Sequence, residues 1–131
     1  MSITYDWRGP FESSEVEAMH AAGFERPVMD YDWRGQVERH SLGWVTARDG
    51  AVLVGFVNVA WDGATHAFVL DTLVDGHRRR QGIGTALVAT AVQQARAVGC
   101  EWIHVDFDDH LTSFYLESCG FRATPAGVIA L

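Results

Sequence analysis

The chain has 131 residues, 48% of them hydrophobic and 21% charged, with a formal net charge of −7. That length fits one domain spanning residues 1–131, able to bury about two thirds of the surface its unfolded chain exposes. The acidic balance excludes nucleic acid as the main partner, because phosphate-dominated binding needs a basic surface, and no apolar run approaches the roughly 20 residues that span a bilayer.

A cationic acceptor suits this charge better. All ten basic residues are arginine, so no lysine is available as a Schiff-base or P-loop residue. Cys100 and Cys119 stand in no CxxC pair and have no matching histidine spacing, so neither a disulfide framework nor a metal site is expected. Met1 to Asp6 contains neither a basic nor an apolar leader region, and a cytoplasmic address is the expectation.

Ile3 to Trp7 alternates polar and apolar side chains, as a first strand does. Ser14-Glu15-Val16-Glu17 is a capping-box pattern that starts a helix, with Val16, Met19 and His20 on one side and Gly23 as its stop. Residues 24–41 hold Pro27, Gly35 and the aromatics Phe24, Tyr31 and Trp33, and read as a loop with one helical turn. Trp44 to Arg48, Ala51 to Trp61 and Thr65 to Val74 are β-rich runs separated by Asp49-Gly50 and Asp62-Gly63. Such turn dipeptides predict an antiparallel meander of three strands. From Gly82 to Val98 the apolar residues recur at helical spacing, with Gln93, Gln94 and Arg96 on the other side and Gly99 as the stop. Glu101 to Phe107 alternates as a half-exposed strand, with Ile103, Val105 and Phe107 on one face and Trp102, His104 and Asp106 on the other. Asp108 or Asp109 caps a helix running to Ser118, Gly120 ends it, and a last hairpin from Phe121 to Leu131 turns around Pro125-Ala126-Gly127.

The segment from Val74 to Thr85 carries the chemistry. It places an arginine cluster, Arg78-Arg79-Arg80, and the spaced glycines Gly82 and Gly84 between a strand end and a helix start. Backbone N–H groups at a helix start lack intrahelical partners and carry the positive end of the dipole, so an anion is bonded and charge-balanced there. A P-loop would need a lysine after the second glycine, and a dinucleotide fingerprint would lie near the first strand, not behind a meander.

The segment Arg79-Arg80-Gln81-Gly82-Ile83-Gly84, with Val74 five residues upstream, resembles the R/Q-x-x-G-x-G/A signature of the GNAT superfamily of acyl-CoA-dependent N-acyltransferases. Phe114-Tyr115 and Gly120-Phe121 resemble that family's closing motif and follow in the expected order. The resemblance implies a GNAT fold of the α/β (α+β) class. Its mixed, mostly antiparallel sheet would have about six to seven strands, splayed between the fourth and fifth and flanked by about three to four helices. It also implies transfer of an acetyl group from acetyl-CoA to a primary amine of a small molecule, by direct attack in a ternary complex. The alternatives are a peptide or protein amine as acceptor, and a non-catalytic acyl-CoA-binding module. The C-terminal hairpin and the meander edge are the two expected places for a homodimer contact.

By the same resemblance, backbone N–H groups from Gln81 to Thr85 hold the pyrophosphate of CoA while Arg79 and Arg80 screen it, and Gly82 and Gly84 let it approach. Ile83 packs beneath. The strand end at Leu73 and Val74 is expected to pair with pantetheine as an added strand would. Tyr115 matches the tyrosine that protonates the departing thiolate. For the general base that frees the ammonium of its proton, Asp71 stands first, as an unexpected carboxylate in the otherwise apolar run Phe68-Val69-Leu70-Asp71. His66, His104 and Asp106 are alternatives. Asp108 is expected to cap the last helix, and Cys119 lacks the partner base a nucleophile needs. Tyr31, Trp33, Trp44 and Trp61 are candidates for an acceptor pocket.

Overall fold

The computed structural model of the chain describes residues 2–131. The elements follow as β1 (Ile3–Trp7), α1 (Ser13–Gly23), α2 (Trp33–His40), β2 (Ser41–Asp49), β3 (Val52–Trp61), β4 (His66–Val74), α3 (Ile83–Val98) and β5 (Trp102–His104). A 3-10 turn, Gly76–Arg78, precedes α3, and a 3-10 turn at Asp109–Leu111 leads into a π-helical turn at Ser113–Ser118. The strands form one sheet in the order β1-β2-β3-β4-β5. Neighbours from β1 to β4 are antiparallel, whereas β5 lies parallel to β4.

Alternation along the strands divides the core between the two faces of the sheet. On one face α3 buries Ile83, Leu87, Ala91 and Ala95 against Val45, Ala47, Val57 and Val69. On the other, Val16 of α1 and Trp33 and Val37 of α2 pack with Phe11, Trp44, Phe56 and Leu73. The meander, its Asp-Gly turns and the main helix lie where alternation and helical spacing predict them, and the parallel pairing of β5 makes the sheet mixed and mostly antiparallel, as the resemblance implies.

Five expectations change. Residues 33–40 form a helix rather than a loop with a single turn, because the Asp32 side chain accepts a hydrogen bond from the Gly35 N–H and Trp33 and Val37, four apart, bury the same stripe. The box at the start of α1 is Glu12/Glu15 and not Ser14/Glu17: the Glu12 N–H donates to Glu15 Oε1 at 2.8 Å, and Glu17 is committed elsewhere. The sheet has five strands, not six to seven, since no strand forms between Phe121 and Leu131. With only three residues of β5 in the ladder, a sixth strand would gain too few hydrogen bonds to offset the entropy of ordering it. That stretch therefore offers no hairpin edge, and Val128 and Ile129 stay exposed. β5 is also shorter than Glu101 to Phe107, and the final helix is a 3-10 turn followed by a π turn.

Ile83 is 2% exposed at the first turn of α3, so it anchors the glycine turn to the core. Ile83→Ala is expected to lower the unfolding free energy by about 2–5 kcal/mol, measured by urea denaturation.

Candidate functional site

β4 is interrupted in the middle. Phe56 pairs with Leu73 and Asn58 with Leu70, so Val57 of β3 stands opposite both Asp71 and Thr72. Two residues against one is a β-bulge, which bends the strand and re-aims its side chains. Asp71 takes φ +54°, a left-handed conformation that aspartate tolerates better than most residues. The bulge reverses the alternation: Ala67 and Val69 face α3, whereas Leu73 faces α1 and α2.

The two expected catalytic residues approach this bulge from different elements, each through its own partner, His20 for Asp71 and Thr72 for Tyr115. The Asp71 carboxylate points to α1, with Oδ1 3.7 Å from His20 Nε2. Burial raises its pKa and the His20 ring opposes that rise. From the π-helical turn, the Tyr115 hydroxyl donates to Thr72 Oγ1 at 3.1 Å. The Tyr115 ring stacks on Phe107 and meets Phe114 and Phe121 edge-on. Burial raises the phenol pKa, which the Thr72 hydrogen bond partly offsets. The phenol that keeps its proton is tied to Thr72, and the half-buried carboxylate belongs to the preceding residue, Asp71; groups of these two types can serve as acid and base.

Pairing between β4 and β5 covers only His66 to Phe68, and β4 then runs on to Val74 without β5 beside it. The bulge lies in this opening. Leu73 is buried toward α1 and α2, while Val74 packs toward α3. At the end of β4 the turn delivers the chain to α3, whose first helical hydrogen bond runs from the Ala86 N–H to the Gly82 carbonyl. The N–H groups of Gly82, Ile83, Gly84 and Thr85 thus precede the helical series.

Gly82 has φ +81°, and a Cβ there would meet nothing within 4 Å. The room above this turn is what a phosphate requires. A Cβ on Gly84 would instead come within 3.1 and 3.2 Å of the Phe114 ring. Gly84 is therefore small to admit Phe114, the neighbour of Tyr115, and not only to admit an anion. The three arginines divide: Arg78 bonds Asp49 Oδ2 at 2.8 Å and ties the turn to β2, whereas Arg79 and Arg80 are exposed. Gln81 is exposed beside them. A cavity of about 560 Å³ lies between α1 and the end of β4, with Ala18, Met19, Ala22, Leu53, Val74 and Arg79 in its wall.

Other candidates separate from the bulge. His66 and His104 bond each other, ring nitrogen to ring nitrogen at 2.8 Å, and stack beside Phe68 at the far end of β4. Asp106 is exposed. Asp108 occupies the cap position, but its carbonyl and not its side chain receives the Leu111 N–H. Burial raises the Cys119 thiol pKa, the opposite of an activated nucleophile. Of the four candidate aromatics, Trp33 and Trp44 belong to the core, Trp61 packs at its margin, and Tyr31 is the exposed one.

The profile of the Acetyltransferase (GNAT) family matches residues 3–121. The chain belongs to this family. No curated protein matches it by sequence. Solved GNAT structures superpose over nearly its whole length. A GNAT family acetyltransferase from Streptococcus pneumoniae has a TM-score of 0.76 at 25% identity, covering 99% of this chain and 98% of that one. Glucosamine-6-phosphate N-acetyltransferase from Arabidopsis thaliana gives 0.74 at 15% identity, covering 98% of both chains. An aminoglycoside acetyltransferase from an uncultured soil metagenomic sample gives 0.77 at 17% identity, covering 98% of this chain and 94% of that one. The GNAT chain is thus an acyltransferase, of a family that typically uses acetyl-CoA.

A buried polar cluster next to His20 carries no sequence motif. Glu17, 1% exposed, accepts two hydrogen bonds from Arg26, at 2.7 and 2.8 Å, and one each from Trp33 Nε1 and the Met29 N–H. These contacts pin the α1–α2 connection onto α1. The Arg26 guanidinium, with help from Trp33, holds the Glu17 pKa down at about 2 against an ordinary 4.5. A depressed carboxyl contributes stability above its ordinary pKa and loses it as pH falls toward the depressed value. Glu17→Gln is therefore expected to be less stable than wild type at neutral pH, and the gap in urea midpoint to close between pH 4.5 and about 2.

Proposed function

We propose that this GNAT acyltransferase moves an acetyl group from acetyl-CoA to the primary amine of a small molecule, with Asp71 as base and Tyr115 as acid. The observation that carries the reading is the β4 bulge, which turns Asp71 to the α1 side while its neighbour Thr72 receives the Tyr115 hydroxyl. A carboxylate and a phenol then act at one point of the strand from different directions, as amine deprotonation and thiolate protonation require.

The residues present fit acetyl-CoA, which supplies the activated thioester. The N–H groups of Gly82 to Thr85 would hold its pyrophosphate, with Arg79 and Arg80 screening charge and Gln81 beside them. The room at Gly82 supports this. The stretch of β4 from Val69 to Val74 that β5 leaves uncovered supports strand-like pairing of the pantetheine arm at Leu73 and Val74. Asp71, its pKa raised by burial, accepts the ammonium proton directly or through water. Tyr115 gives its proton to the departing sulfur, and burial keeps that proton in place beforehand.

On the acceptor side, Phe24, Met29 and Tyr31 are exposed on the connection beside His20. They favour an amine with an apolar or aromatic body, its ammonium drawn by the acidic chain. The experiment is release of free thiol from acetyl-CoA with a panel of arylalkyl, aliphatic and sugar amines. Tyr115→Phe is expected to lower kcat about 100-fold or more with little change in KM, and full activity in that variant would remove the acid. Gly82→Val is expected to raise the KM for acetyl-CoA while leaving the amine KM near its original value.

A further inference from the structure

We propose that His20 is a positioning residue for Asp71, its ring fixed by the buried Glu17–Arg26 pair so that the Nε2–H bond faces the carboxylate. The inference deepens the reading of Asp71 as the base and rests on it.

The tautomer follows from the donors around the ring. Arg26 approaches His20 Nδ1 through Nη2 at 2.9 Å and Nε at 3.3 Å. A guanidinium only donates, so Nδ1 of the neutral ring is the acceptor and Nε2 bears the proton. Nε2 is the atom that stands 3.7 Å from Asp71 Oδ1. Arg26 cannot turn away, because Glu17 grips its two terminal nitrogens and the Pro27 carbonyl accepts a further hydrogen bond. The ring plane is set as well, with centroids 4.5 Å from Phe24 and 5.0 Å from Trp33.

On the other side of the pair, the bulge takes Asp71 out of the alternating pattern, and its side chain is 26% exposed. Among the described residues no competing ion pair reaches it: β3 has no ionisable side chain, and α3 has only Arg96, at its far end. His104 of β5 is engaged with His66, and the Tyr115 hydroxyl with Thr72. The Nε2–H of the neutral His20 ring is therefore the group aimed at the carboxylate, and the positive end of that N–H dipole favours the ionised, proton-accepting form over the protonated one. The α1–α2 connection, which faces the acceptor, is coupled through Arg26 to the protonation of Asp71 on β4.

The test is a pH titration of the full chain carrying 13C-carboxyl aspartate, with the Asp71 resonance assigned by its loss in Asp71→Asn. His20→Phe keeps the stacked ring and removes both nitrogens, and is expected to raise the Asp71 midpoint by roughly half a unit or more. His20→Gln, whose amide oxygen can face Arg26 and whose N–H can face Asp71, is expected to restore the wild-type midpoint. The acidic limb of kcat/KM should move with the resonance. If His20→Phe does not fold, His20→Asn, whose amide stops short of the Nε2 position, serves in its place. An unshifted midpoint in the folded variant, or a Gln variant that shifts as Phe does, overturns the inference while leaving acetyl transfer standing. A shifted midpoint in a chain whose wild type turns over no amine supports the coupling and overturns the acetyl-transfer reading instead.

Discussion

The site depends on one extra residue in β4. Without the bulge opposite Val57, strict alternation would carry Asp71 and Leu73 to the α3 face with Ala67 and Val69, because the side-chain period of a strand is two. A carboxylate would then stand among the apolar residues that pack α3, and Leu73 would leave the cluster formed with Phe56 and Trp33. The bulge resolves both conflicts. It gives Leu73 a buried place toward α2 and turns the Asp71 carboxylate to His20, at the cost of a left-handed aspartate. A residue held in a sparse region of backbone space persists because its surroundings over-determine it. Here the ladder on both sides and the cores on both faces do so.

The bulge also divides the chemistry between the faces. The glycine turn, the N-terminus of α3 and the π-helical turn with Tyr115 form one assembly, joined where Phe114 rests over Gly84. Asp71, His20 and the α1–α2 connection form the other. β4 contributes to both, so a donor held along its open edge would present its reacting carbon at the junction. Burial acts in the same direction on the two groups, raising the pKa of the carboxyl and the phenol alike. For Tyr115 that keeps the proton on the phenol, and for Asp71 it raises the proton affinity of the carboxylate, as the proposed acid and base roles require.

Much of this fold and site is legible in the amino-acid sequence, for physical reasons that differ from place to place. The meander is plain because Asp-Gly turns and alternation are local signals, and α3 because five buried residues recur at helical spacing along one helix. The glycine turn and Tyr115 belong to short motifs tied to backbone geometry. α2 is not legible: Gly35 and Val37 weaken its propensity, and its stability comes from burying Trp33 and Val37, with only Asp32 as a local sign. Nor is the lack of a C-terminal hairpin, since strand formation there depends on how much of β5 is available to pair. The direction of Asp71 is undecidable from sequence because a single inserted residue inverts the face of every side chain beyond it, and alternation does not mark where the insertion falls.

Under the proposed assignment of donor and acceptor sides, the Glu17 clamp explains why the acceptor side is harder to read from sequence than the donor side. The donor cradle is built from backbone N–H groups, so it needs glycines at fixed spacing and leaves a motif. The proposed acceptor side is built from side chains that meet only in three dimensions: Glu17 and His20 from α1, Arg26 from the connection, Asp71 from β4. Nothing in their spacing of 3, 6 and 45 residues follows a helical or strand period shared by all four. Glu17 and His20, three apart, do lie on one helical face, and a buried acid there demands a cation. Arg26, the next arginine along the chain, supplies it. Burying that ion pair is unfavourable by itself and becomes tolerable only when every polar atom is partnered, which is the case among the described residues. A network satisfied to that degree leaves Arg26 and His20 little freedom, which is what the proposed positioning of Asp71 on the neighbouring strand requires.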